Sequence, residues 1–191
     1  MEELRAFLEQ DLTISDKDWS IIKQKIHADS CTKGRVLTAT GAVENHLYFL
    51  LDGAVRLYYS AENKDITLNI GFPNAFISAY TSFLTQEKSN FILETLTTCR
   101  YCYLTHSDLD YIYEHTQCGH ELGRILTERI FLYLSQRENS FLLKSPTERY
   151  LDLFHEQPKL IQEIPQKYLA SYIGITPQAL SRIRAKLSES N

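Results

Sequence analysis

The sequence predicts an α+β chain in three parts. Residues 1–115 read as an N-terminal β-barrel or jelly roll (a double-stranded β-helix), 116–143 as a long dimerisation helix, and 144–191 as a small all-α helix-turn-helix unit. Three observations predict it. Between about Lys33 and Leu104, short aromatic and β-branched runs alternate with glycines and polar turns. Gln117 to Leu143 contains no proline and repeats apolar residues at helical spacing. From about Pro165 to Leu187, a helix-ending glycine is followed by a cap and a second amphipathic run.

Taken in order, residues 1 to about 28 read as helical. Ser15 or Asp16 is placed to cap a second short helix holding Trp19, Ile22 and Ile26. The strand candidates are Arg35–Thr38, Leu47–Leu51, Ala54–Tyr59, Ile66–Phe72, Phe91–Leu96 and Tyr101–Leu104, with Gly34, Gly41, Gly53 and Asn63 between them. Short strands at this spacing indicate a sandwich or small barrel. Ser107-Asp108-Leu109 opens a short helix to about Glu114. The helix that follows carries Leu122, Ile125, Leu126, Arg129, Ile130, Tyr133 and Leu134, and spans about 40 Å at 1.5 Å per residue. Its apolar stripe is covered either by the chain's own barrel or by a second copy. A two-fold dimer through Leu122, Leu126, Arg129 and Tyr133 is the economical solution. Ser145-Pro146-Thr147-Glu148 is a capping box with proline at the first helical position. Its helix holds Tyr150, Leu151, Leu153 and Phe154, stops before Pro158, and leaves Phe141–Ser145 as a hinge.

Composition narrows the class. With 43% apolar and 23% charged residues, the chain reads as ordinary globular protein. No run approaches the roughly 20 apolar residues of a membrane span. Met1-Glu2-Glu3-Leu4-Arg5 lacks the layout of a secretory signal, so a cytoplasmic location is expected. Cysteines 31, 99, 102 and 118 include one C-x-x-C pair, Cys99 and Cys102, on a predicted strand. Positions three apart on a strand face opposite sides, so this pair reads as ordinary part-buried thiols. The net charge of −4 is unevenly spread. Ile164 to Ser188 holds Lys167, Arg182, Arg184 and Lys186 and no acid, while the rest of the chain carries 16 basic and 24 acidic residues. A basic tip on an acidic body is a local electrostatic footprint for nucleic acid.

The strongest motif runs from Gln166 to Arg184. The first helix ends at Ile173, and Gly174 suits the left-handed position that terminates it. Thr176 caps the second helix and Pro177 occupies its first turn. Ala170 is small where the helices cross, and Leu169, Ile173, Ile175, Leu180 and Ile183 form a shared seam. Gln178, Ser181, Arg182 and Lys186 are left on polar positions. A recognition helix of this kind presents such side chains to a major groove, where arginine pairs guanine and glutamine pairs adenine.

This order of elements resembles the Crp/Fnr family of bacterial regulators across nearly the whole chain. Gly41 to Leu57, with Leu47-Tyr48-Phe49-Leu50-Leu51-Asp52-Gly53-Ala54-Val55-Arg56-Leu57, looks like the barrel core of cyclic-nucleotide-binding domains, and Ile164 to Leu187 carries the second likeness. The resemblance implies a sensor barrel, double-stranded DNA bearing an inverted repeat as partner, a homodimer, and RNA polymerase as a further partner. It places Gln166, Lys167 and Thr176 near phosphates and Gln178, Ala179 and Arg182 near bases. Pro177 stands where the family often has a base-contacting arginine. With Asn191 as the last residue, contacts from a β-hairpin wing are not expected.

The effector pocket departs from that pattern. Nucleotide-binding members carry a Gly-Glu-Leu turn and then Arg-Ser or Arg-Thr. The matching stretches here are Phe76-Ile77-Ser78-Ala79-Tyr80-Thr81 and Lys88-Ser89-Asn90, without the glutamate or the arginine. Lys88 replaces the arginine only as a point charge. Tight binding of cyclic AMP is not expected, and Tyr80, Phe83 and Phe91 are placed to fill the vacancy or line another pocket for an unknown small-molecule effector. An iron–sulfur cluster is not expected, with no cysteine before Cys31. Nor is haem, for which His46 and His106 stand alone. No His-x-His with glutamate, nucleophile elbow, Walker loop or His-Glu-x-x-His appears, so no enzyme is expected. The alternative reading is a ligand-binding or protein-interaction module with a vestigial DNA-binding end.

Overall fold

The structure, a computed structural model, describes residues 2–62, 64–158 and 160–189. Asn63, expected in a turn, lies outside the described residues. Helices α1 (Glu2–Leu8) and α2 (Asp16–Lys25) open the chain, and Ser15 caps α2 by accepting the Asp18 amide at 3.0 Å. The helical expectation to residue 28 runs too far. The chain leaves α2 at Ile26 and forms strand β1 (His27–Cys31), antiparallel to β8 (Cys99–Thr105). Almost all of β1 is exposed, so no apolar alternation marked it.

The remaining strands are β2 (Val36–Thr38), β3 (His46–Asp52), β4 (Val55–Ala61), β5 (Lys64–Gly71), β6 (Phe76–Ile77) and β7 (Ile92–Thr95). They form two open four-stranded sheets, β1-β8-β3-β6 and β2-β7-β4-β5, in a jelly roll that does not close into a barrel. The sheets enclose Tyr48, Leu50, Val55, Leu57, Ile77, Leu93, Cys99 and Tyr101. The tight β3–β4 turn depends on Gly53, at φ +86°; a Cβ there would lie 2.4 Å from the Thr98 carbonyl oxygen.

Helix α3 (Tyr80–Thr85) follows β6, and α4 (His106–His115) follows β8. The cap of α4 is Thr105, in a capping box with Asp108, slightly before the expected start at Ser107. Helix α5 (Gly119–Leu143) then runs along the body. Its start is held by the buried Asp18 carboxylate, which accepts the Gln117 and Cys118 amides at 3.3 and 3.2 Å.

The inner face of α5 corrects the dimer expectation. Leu122 and Leu126 are only 1% and 3% exposed, in a core with Leu4, Leu8, Trp19, Ile22, Phe49, Cys102 and Ile112. They hold α1, α2 and α4 against the outer face of the β3–β8 sheet. Arg129 pairs with Asp11 and donates to the Phe7 carbonyl, and Tyr133 donates to Asn69 Oδ1 at 2.5 Å. All four residues are therefore engaged within their own chain.

The C-terminal helices are α6 (Pro146–Glu156), α7 (Leu160–Glu163), α8 (Gln166–Ile173) and α9 (Pro177–Glu189). Ser145 caps α6 in the expected box with Glu148. These helices share one core with the β2-β7-β4-β5 sheet and its flanking turns. Tyr150, Leu153, Ile161, Ile164, Leu169, Ala170, Ile173 and Leu180 bury Ala54, Ile70 and Leu96.

Candidate nucleic-acid interface and the docked helix-turn-helix

Gly174 ends α8 at φ +84°, its amide donating to Ala170 and Ser171 at 3.0 and 3.2 Å. The left-handed turn aims Ile175 back into the seam and starts α9 at Pro177. Thr176 Oγ1 accepts the Ala179 amide at 3.2 Å, as its capping position requires. Leu169, Ala170, Ile173 and Leu180 are buried, with Ile175 and Ile183 half-buried beside them.

On the other side of α9, Gln178, Ser181, Arg182 and Lys186 are exposed, and Ala179 is half-buried at the edge. Gln178 and Arg182 are one turn apart and share a face. Lys167 is exposed on α8 and lies 4.7 Å from the Tyr168 ring. Several side chains of the basic tip and its surroundings have partners within the chain, Gln166 and Arg184 among them. Gln166 donates its amide to the Pro177 carbonyl at 2.9 Å and to Ser181 Oγ at 2.6 Å, which braces the angle between the two helices. Arg184 turns inward and donates to the Tyr150 hydroxyl at 3.2 Å. The exposed charges of the tip are Lys167, Arg182 and Lys186.

Helix α8 is docked on strand β5. Thr67 donates its amide to Ser171 Oγ at 2.9 Å, and that hydroxyl donates to the Asp65 carbonyl at 3.3 Å. Arg137 on α5 bridges both, donating to the Leu68 and Tyr172 carbonyls at 2.7 and 2.9 Å. Phe141, expected at a hinge, remains helical; its ring lies under Gly174, where any Cβ would meet it at 2.6 Å, and is covered by the guanidinium groups of Arg137 and Arg149.

Beneath α8 lies Arg56, 1% exposed. Its Nε donates to Thr67 Oγ1 at 2.8 Å and its Nη1 to Asp65 Oδ2 at 3.2 Å. The guanidinium sits 3.9 Å from the Tyr58 ring and 4.1 Å from the Tyr168 ring. Its Nη2 is buried without a hydrogen-bond partner. An orphaned donor of this kind costs about 1–3 kcal/mol, and cation–π contacts offset it by about 0.5–2 kcal/mol each. Sequence reasoning missed this residue as a site. On strand β4 it alternates with the inward Val55 and Leu57, which reads as a solvent-facing position until α8 covers it.

The expected effector pocket is not assembled as one cradle. Ser78 is buried and donates to the His46 carbonyl at 2.9 Å, and Ala79 lies against the interior of the jelly roll. Tyr80 points the other way, its hydroxyl sharing a hydrogen bond with Thr127 of α5 at 3.2 Å, and Thr81 is exposed. Phe83 is buried in the helical core, not in the sheet interior, whereas Phe91 does pack on the interior. Lys88 and Asn90 are exposed, and Ser89 turns back to the Phe91 backbone. The interior is occupied by Tyr48 and Tyr101, edge to face with centroids 5.4 Å apart. Burial, with the Glu44 carboxylate nearby, pushes the Tyr48 phenol far above its ordinary value. Cys99 and Cys102 enter different cores, as strand alternation requires, and burial pushes both thiols up.

One apolar face of α5 is left uncovered. Phe131 is 68% exposed and Leu142 75%, with exposed Leu134 on the same side. Eleven helical residues separate the first two, which returns them to within about 20° of each other. An open groove of about 540 Å³ adjoins Phe131, lined by Tyr113, His120, Arg124 and Thr127.

Residues 29–116 match the family model of the cyclic nucleotide-binding domain. The match runs from within β1 through the jelly roll to the end of α4. Most of the chain, C-terminal helices included, shares its fold with solved structures of the Crp/Fnr type. FixK2 from Bradyrhizobium japonicum superposes with a TM-score of 0.73 at 13% identity, over 86% of this chain and 85% of that one. CLP from Xanthomonas campestris, described as a c-di-GMP responsive global regulator, gives 0.66 at 14%, over 92% and 93%. A proposed Crp/Fnr-family regulator from Eubacterium rectale gives 0.67 at 14%, over 93% and 85%. No curated protein matches the chain.

Proposed function

We propose that the chain is a homodimeric, sequence-specific DNA-binding transcription regulator of Crp/Fnr type. The observation that carries this reading is the outward face of α9, where Gln178, Arg182 and Lys186 stand exposed above a fully built helix-turn-helix seam. The recognition helix enters the major groove of an inverted repeat, with Lys167 and Thr176 beside the phosphates. Gln166 and Ser181 act here as the brace that sets the helix angle. The protein works in the cytoplasm, with RNA polymerase as its further partner and no catalytic step of its own. Among the described residues, no helix is long and apolar enough to cross a membrane.

Arg182→Ala is expected to cost about 1–3 kcal/mol per half-site and to relax preference at one base pair. Lys167→Ala is expected to weaken all sequences alike and to lower the salt slope by about one unit for each phosphate that the lysine neutralises. Selection of bound sequences from random DNA by wild type and both variants tests this. Failure of the wild type to enrich any inverted repeat, with and without cell extract, sinks the reading in favour of a ligand-binding module with a vestigial end.

The sensor half does not respond to cyclic AMP in this reading, because the glutamate and arginine of the nucleotide cradle are missing and tyrosines occupy the interior. Calorimetry with cyclic AMP and cyclic GMP is expected to show nothing tighter than the high micromolar range, about −5 to −6 kcal/mol. A submicromolar constant refutes it.

A further inference from the structure

We propose that the cleft between strands β4–β5 and the first turns of α8 binds a small phosphorylated anion. The cleft encloses about 310 Å³ and is lined by Arg56, Lys64, Asp65, Lys167, Tyr168 and Thr176, among others. Three of these side chains are cationic and one is a carboxylate, so the cleft carries a net charge of +2. Arg56 lies on its inner wall, and the Nη2 of that guanidinium is the buried side-chain donor left without a partner among the described residues. Native proteins rarely leave such a group unpaired, and a bound ion is one of the few explanations. With Nε and Nη1 held by Thr67 and Asp65, Nη2 is left to donate to a phosphate oxygen, and the flanking lysines add point charge.

The depth of Arg56 selects the kind of anion. Its side chain is 1% exposed beneath Tyr168, below the surface that a rigid duplex would meet. A free phosphate or phosphomonoester is small enough to enter once Lys167 and Tyr168 swing aside. Arg56, Lys64 and Asp65 belong to the sheet, whereas Lys167, Tyr168 and Thr176 belong to the helix-turn-helix. An occupant therefore bonds to both halves and biases how one sits on the other.

The test is calorimetry of the full chain without DNA, using inorganic phosphate and ribose 5-phosphate at ionic strength held constant with chloride. Saturable binding at millimolar or lower concentration is expected, weakened at least tenfold in the Lys64→Ala/Lys167→Ala double variant. Both lysines are exposed, so that variant should keep the wild-type melting temperature. Arg56→Met should abolish binding; if it fails to fold, the lysine pair decides. Tighter binding of ribose 5-phosphate identifies an organic phosphate as the occupant, and equal binding identifies the phosphate group alone. No binding beyond that of chloride, unchanged affinity in the double variant, or a phosphate effect seen only with duplex DNA present overturns the proposal. Phosphate binding by a chain that enriches no DNA sequence would preserve this site and sink only the DNA-binding reading.

Discussion

Glutamate at both Phe131 and Leu142 is expected to turn the protein monomeric in sedimentation and to weaken its hold on an inverted repeat by about 10²–10⁴-fold. Both side chains are largely exposed within one chain, so the substitutions remove little internal packing. The melting temperature of the monomer should therefore be preserved. Two charges in the centre of a two-fold interface appear four times in the dimer, and each must be buried without a partner. DNA affinity falls because the two half-sites are no longer bound in one event. Leu126→Ala provides the contrast. That side chain is buried against the chain's own helices, and truncating it should cost about 2–5 kcal/mol of folding stability. A dimer that survives the Phe131/Leu142 pair places the interface on another face.

Gly53→Ala is expected to destabilise the protein by about 2–5 kcal/mol, combining about 1–2 for left-handed backbone with about 1–3 for overpacking. The added methyl would meet the Thr98 carbonyl oxygen at 2.4 Å, Cys99 Sγ at 2.7 Å and Thr97 Oγ1 at 2.8 Å. Backbone supplies the closest of these approaches, so a side-chain rotation cannot relieve it. For a chain of this size the melting temperature should fall by roughly 10 °C. Gly34→Ala separates the two contributions. Gly34 has nearly the same φ, +81°, but nothing lies within 4 Å of its added Cβ. Its variant should show the backbone penalty alone, and equal losses at both positions would refute the steric account.

The sequence was most readable where a local rule decides the structure. Ser15, Ser145 and Gly174 occupy the capping and terminating positions expected of them, because a cap depends on three or four adjacent residues. The six strand candidates also correspond to strands. What escaped was set by distant partners. Strand β1 has no apolar alternation because nearly all of it is exposed; its pairing with β8 joins residues about 70 positions apart, from His27 with Tyr103 to Cys31 with Cys99. Period 3.6 located an apolar stripe on α5 but not its cover. The cover proved to be α1, α2 and α4, and the stripe left exposed lies on the opposite side of the helix. Arg56 was invisible for the same reason: its burial comes from Tyr168, 112 residues later. The expected effector residues divided because Ala79 faces the sheet interior while the next residue, Tyr80, reaches α5.

Ala54, Ile70 and Leu96 belong to the jelly roll, yet their cover is Leu169, Ile173 and Leu180 of the helix-turn-helix and Tyr150 of α6. Detaching those helices strips the sheet of its own lid and wets apolar side chains in both halves at once. The two halves thus lend each other stability and are expected to melt cooperatively, in one endotherm and not as independent beads on a string. A jelly roll cut free at the end of α5 would carry a sticky wound where the helices had rested.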